Sequence, residues 1–158
     1  MGKVTIRKAT SQELEIIQNL NNELFKLEKE KFDSTLVNDW PLTKDGKMYF
    51  EDLINSCYVI VAILNDEIVG YLAGTINEKG SYEEIQYGEI NNMLIKENCR
   101  GFGIGKLLVD NFKNYCKKNK INNLKVEASA KNISAINFYK KNGFKDFNIT
   151  LTQNLENI

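Results

Sequence analysis

Arg100-Gly101-Phe102-Gly103-Ile104-Gly105-Lys106 sets three glycines within five residues, between a β-type segment and an amphipathic run. Behind it, Ile104, Leu107, Leu108, Phe112, Tyr115 and Cys116 fall on one apolar face of a helix ending near Lys120. A turn without side chains lets the backbone approach an anion closely. The first N–H groups of the helix then point at that anion with the positive end of the dipole. Two phosphate motifs fail on spacing. A Walker A loop needs glycine five residues before Gly105 and Ser or Thr after Lys106, where Arg100 and Leu107 stand. A dinucleotide fingerprint needs G-x-G-x-x-G in an opening βαβ unit, whereas this stretch reads G-x-G-x-G and follows a strand hairpin.

The flanking segments give the architecture. Upstream, Ile85–Ile95 reads as a strand, and Tyr58–Leu64 and Glu67–Ile76, rich in β-branched residues, flank the two-residue turn Asn65-Asp66. Lys3–Lys8 alternates as a first strand. Thr10-x-x-Glu13 is a capping box opening a helix to about Lys29, with Leu14, Ile17, Leu20, Leu24 and Leu27 at helical spacing. Residues 30–56 are less regular, with Met48–Ile54 a short helix after the Trp40-Pro41 break. Downstream, Leu124–Ala128 is a buried-type strand, Asn132 caps a helix through Lys141, Gly143 stops it, and Phe144–Leu151 is expected as a closing strand. The order predicts a single α+β domain over 1–158, a mixed, mainly antiparallel sheet flanked by helices.

Composition narrows the function. The chain has 158 residues, 42% of them hydrophobic, enough to bury a core. No apolar run approaches the roughly 20 residues of a membrane helix, and the first residues lack a signal-peptide core, so a cytoplasmic protein with no membrane partner is expected. The three cysteines, Cys57, Cys99 and Cys116, have no metal-ligand spacing, and no metal is expected. Histidine is absent, which removes the commonest general base and the usual activator of Ser and Cys nucleophiles. A net charge of zero argues against a nucleic-acid partner. Residues 1–95 nevertheless carry a net −7 and residues 96–158 a net +7, which suits an anion gripped by the second part and a cation drawn to the first.

Arg100, Gly103 and Gly105 satisfy Arg/Gln-x-x-Gly-x-Gly/Ala, and Leu124–Ala128 is followed by Asn132-x-x-Ala135-x-x-x-Tyr139-x-x-x-Gly143-Phe144. In order and spacing the chain resembles the GCN5-related N-acetyltransferase (GNAT) family over roughly residues 85–147, with Glu97 where many members place proline. The resemblance implies acetyl-CoA as acetyl donor and a fourth strand, Glu89–Ile95, bulged and splayed from Leu124–Ala128. It places the pyrophosphate on Arg100, Gly101, Phe102, Gly103, Ile104, Gly105 and Lys106. It lays the pantetheine along the main chain of Met93, Leu94 and Ile95, beside Asn132 and Tyr139. In the family the tyrosine at the place of Tyr139 protonates the leaving thiolate, and Glu89 matches the catalytic glutamate of the histone-acetylating branch. Asn132 and Tyr139, seven residues apart, share a helix face. Each has a plainer reading: Asn132 as a helix cap, Tyr139 as a core aromatic, Glu89 as a solvated strand residue. An acetyl-cysteine at Cys99 is the other chemical route.

An alkylamine of pKa about 10.4 must lose a proton before attacking a thioester, so a base is needed. Glu78, Glu83, Glu84 and Glu89, with Glu28, Asp33 and Asp39, suggest a small cationic amine as acceptor. The alternatives are a protein N-terminal or lysine acetyltransferase acting on peptide amines, and a non-catalytic acyl-CoA-binding regulator. A homodimer through Phe144–Leu151 is also expected.

Overall fold

The fold is described by a computed structural model covering residues 2–157. Its first firm element is a hairpin: strands β2 (Tyr58–Leu64) and β3 (Glu67–Ile76) pair across Asn65 and Asp66, whose φ values of 51° and 63° are those a two-residue turn demands. Strand β1 (Thr5–Lys8) pairs antiparallel with β2, and β4 (Tyr87–Ile95) antiparallel with β3. Helix α3 (Ile104–Lys118) carries the chain back so that β5 (Asn123–Val126) lies parallel to β4, giving the order β1-β2-β3-β4-β5.

The sheet is buried on both faces, which explains the unbroken apolar run of β2. Ile60, Ala62, Leu72 and Ile90 pack with Leu108, Phe112 and Cys116 of α3. Val59, Val61, Tyr71 and Leu94 pack on the other face with Ile17 and Leu20 of helix α1 (Leu14–Lys31) and Phe50 and Leu53 of helix α2 (Lys44–Ser56). Ile90 and Leu94 lie four residues apart yet serve opposite layers. A β-bulge reconciles them: Ala73 pairs with Asn92 and Gly74 with Ile90, so Asn91 is the extra residue and the alternation reverses there.

The entry to α1 is fastened as its capping box predicts. The Glu13 carboxylate accepts from the Thr10 backbone N–H and from the Arg7 guanidinium at 2.7 Å, tying β1 to the helix. The Arg7 hydrogen bond holds this carboxyl at about 2, below the ordinary carboxylate range. Its folded-state pKa is depressed, so the stabilisation is complete above the unfolded value and fades as pH falls toward 2. Glu13→Gln should lower the unfolding free energy by about 1–2 kcal/mol at neutral pH and by much less in acid, read by urea titration at the two pH values.

Several boundaries differ from expectation. Helix α2 begins at Lys44 instead of Met48, because the Thr43 hydroxyl accepts from the Gly46 N–H at 3.2 Å and caps an extra turn. Strand β4 starts at Tyr87 instead of Ile85, and β5 ends at Val126 instead of Ala128. The closing strand Phe144–Leu151 does not form: among the described residues no strand follows helix α4 (Ile133–Lys141). Apolar alternation alone does not make a strand, which needs a ladder partner. Here Phe147, Ile149 and Leu151 stand 75%, 87% and 89% exposed.

Candidate active site

The glycine turn joins β4 to α3. Gly101 and Gly103 have φ of 82° and 81°, left-handed conformations that a side chain would strain, and the space where a Cβ would stand is empty at both. Gly103 caps α3 without a side-chain hydrogen bond, and Leu107 N–H to the Gly103 carbonyl is the first helical bond. The donors of Ile104, Gly105 and Lys106 therefore face out of the helix entrance, where an anion fits. Gly105 serves packing instead, since a Cβ there would meet Ile95 and the Phe138 ring at 3.0 Å, and its absence lets α3 close on β4 and α4. Arg100 Nε donates to the Ile95 carbonyl at 2.9 Å, fixing the turn to the strand, and Lys106 pairs with Asp110. Phe102 projects outward, 59% exposed.

The expected splay is present. Pairing of β4 with β5 runs from Tyr87↔Asn123 to Ile90↔Val126 and stops at the bulge, leaving the outer edge of Asn91–Ile95, including Met93 and Leu94, without a strand partner among the described residues. Helix α4 stands beside the opening. Asn132 Oδ1 accepts from Ala135 N–H at 3.0 Å, so the capping role is real and its amide nitrogen remains for another partner. Tyr139 packs between Phe138 and Phe144, with ring centroids 5.2 and 5.5 Å away, and its hydroxyl makes no hydrogen bond among the described residues. Burial, with a further push from the Glu28 charge, raises this phenol to about 12.

A bared helix entrance, an open strand edge and the helix that carries Tyr139, packed on Gly105 through Phe138, agree with what the sequence resembles. The sequence profile described as "Acetyltransferase (GNAT) family" matches residues 17–144. This chain belongs to that family. It is an N-acetyltransferase that takes its acetyl group from acetyl-CoA. Among its relatives is an uncharacterized N-acetyltransferase of Methanocaldococcus jannaschii, 26% identical over 142 residues, covering 89% of this chain and 78% of that protein. A Bacillus halodurans protein shares the fold at TM-score 0.85, 19% identity and coverage of 96% and 99%. So does the aminoglycoside N-acetyltransferase AAC(6')-Iy, solved with CoA, at TM-score 0.75, 13% identity and coverage of 98% and 95%.

Helices α1 and α2 cover the sheet face that carries Leu94 of β4. Asn21 Nδ2 donates to the buried Tyr71 hydroxyl at 2.7 Å, and two helical turns further along the same face stands Glu28. Burial raises the Glu28 carboxyl above its ordinary value, helped by Asp33, and its charge reaches both Tyr71 and Tyr139. Phe25 stacks on Trp40 at 5.7 Å and Trp40 meets Tyr49 at 5.6 Å. The Tyr49 hydroxyl accepts from Asn92 Nδ2 at 3.4 Å, and Asn92 Oδ1 is buried without a partner among the described residues. Lys131 Nζ donates to the Phe32 carbonyl at 3.4 Å, so the end of α1 bridges to the loop after β5.

Glu89 lies on this same face, but its carboxylate is engaged by Lys125 at 3.3 Å and by the Asn77 amide. Cys99, in a short turn before the glycines, donates its thiol to Asn98 Oδ1. Glu78, Glu83 and Glu84 lie in the β3–β4 loop, where Glu83 closes a local turn onto the Gly80 N–H at 2.9 Å. Sequence reasoning missed Asn92 and Tyr49, and it reached Glu28 only as one acidic residue among several. The available signal was Ile17, Asn21, Leu24, Glu28, a helical stripe in which two polar residues occupy core positions.

Proposed function

We propose that the enzyme transfers acetyl from acetyl-CoA directly to a primary amine of a small cationic molecule. The observation that carries this is an aromatic cluster of Phe25, Trp40 and Tyr49 with Glu89 near Tyr49, and the unpaired carboxylate Glu28 one turn along α1 from Phe25. Carboxylates pair an ammonium, and aromatic faces attract it further once water is excluded. The resemblance in fold to an aminoglycoside acetyltransferase supports an acceptor of that chemical kind.

In this reading the donors of Gly101 through Lys106 hold the diphosphate of the cofactor, and the unpaired edge at Met93–Ile95 hydrogen-bonds its amide-bearing arm. An N–H of that edge polarises the thioester carbonyl as charge develops on oxygen. The Asn132 amide nitrogen is a further donor. Tyr139, kept protonated by its surroundings, donates to the departing sulfur. With no histidine in the chain, the amine proton goes to a carboxylate. Phe147, Ile149 and Leu151, exposed and alternating, suit pairing with the open side of β5 in a second copy, which supports a homodimer.

Thiol release from acetyl-CoA across alkylamines, aryl amines, aminoglycosides and peptides tests the proposal. Polycationic small amines should be fastest. Faster turnover with peptide N-termini or lysine peptides would move the assignment to a protein acetyltransferase. Tight CoA binding with no thiol release on any amine would leave the regulator.

A further inference from the structure

Glu28 is a half-buried carboxylate on the inner face of α1 that forms no ion pair and accepts no side-chain hydrogen bond among the described residues. That is unusual. Carboxylates withdrawn from water are normally paired, because leaving one desolvated without a counter-ion is unfavourable. The groups facing it offer no compensation: Tyr71 from β3 and Tyr139 from α4 are neutral phenols, and Asp33 beyond the end of α1 carries the same sign. The cations nearby among the described residues, Lys131 and Lys29, donate to the Phe32 and Leu36 carbonyls. Glu89, by contrast, already has Lys125 and Asn77.

We infer that Glu28, rather than Glu89, receives the proton of the acceptor amine, and that the acceptor ammonium is the counter-ion this carboxylate lacks. The inference rests on the acetyl transfer proposed above. The ammonium gives one proton to a Glu28 oxygen. The freed amine forms its C–N bond at the thioester carbonyl carbon while the C–S bond breaks. Tyr139 gives its hydroxyl proton to sulfur, and the second nitrogen proton restores the phenol as the amide forms. Glu28 then sheds its proton to water, so each turnover yields amide, thiol and one proton. The Lys131–Phe32 hydrogen bond ties the end of α1 to the loop before α4, so Glu28 and Tyr139 stand on elements joined at that end. Desolvation makes Glu28 a stronger base than a solvated carboxylate.

The test compares wild type, Glu28→Gln and Glu89→Gln, using putrescine as a strongly basic acceptor and trifluoroethylamine as a weakly basic one. Glu28→Gln should lower kcat/KM for putrescine by about 100-fold or more, and for trifluoroethylamine by less than about tenfold, since that amine is largely deprotonated at neutral pH. Its putrescine rate should climb about tenfold per pH unit toward the amine pKa, and its acetyl-CoA affinity should match wild type. Because an unpaired carboxylate is removed, its thermal midpoint should not fall. Should Glu28→Gln fail to fold, Glu28→Ala with added acetate gives the same reading, rescue being expected. A Glu28→Gln enzyme with wild-type pH profile for both amines overturns the inference, as does loss of the base-dependent limb in Glu89→Gln alone. A wild type that binds acetyl-CoA but acetylates no amine defeats the proposed function instead.

Discussion

Tyr139→Phe is expected to lower turnover by about 100-fold while leaving acetyl-CoA affinity nearly unchanged. The ring stays, so the contacts with Phe138 and Phe144 stay with it. Only the hydroxyl is lost, and among the described residues it has no partner whose loss would disturb the fold. What disappears is the donor to a thiolate that carries charge only as the C–S bond breaks, so kcat should fall and the calorimetric dissociation constant should hold. The pH dependence separates this role from a packing one. A phenol held at about 12 stays protonated through the working range, so the wild-type profile should lack a descending limb at an ordinary tyrosine pKa. Equal turnover in the phenylalanine variant would remove the acid assignment.

Gly103→Val should act on the other half of the site, weakening acetyl-CoA binding by about 10- to 100-fold with a smaller change in turnover at saturation. The φ of 81° costs a β-branched residue roughly 1–2 kcal/mol, and the added methyls stand where the anion would approach the helix donors. Calorimetry with CoA measures the loss of affinity and thermal melting the backbone strain. Gly105→Val is a useful contrast, because its Cβ would meet Ile95 and Phe138, and loss of folding should precede loss of affinity.

The second half of the chain was readable because its signals are local. Glycines at fixed spacing, an Asn cap and an apolar helical face each need only a few neighbouring residues to act, and the Arg100–Lys106 turn, the Asn132 cap and α3 appear where they were expected. The proposed acceptor side was less legible because its residues come from α1, α2 and β4, and only tertiary packing brings Asn92 to Tyr49. Glu89 shows the converse. Its place on the strand follows from spacing, but Lys125 and Asn77 reach it from other elements. The expected strand Phe144–Leu151 had the right alternation, and failed because strand formation depends on a partner that alternation does not specify.

The extra residue in β4 has a consequence for the relation between folding and activity. Ile90 and Leu94 reach opposite layers because Asn91 is absorbed by the bulge, and in a chain lacking Asn91 the same two side chains would be three apart, again on opposite faces. Such a shortened protein could fill both layers and extend its parallel ladder past Val126, gaining backbone hydrogen bonds while sealing the opening. Deleting Asn91 is thus expected to leave both layers filled while closing the edge along which we propose the thioester lies.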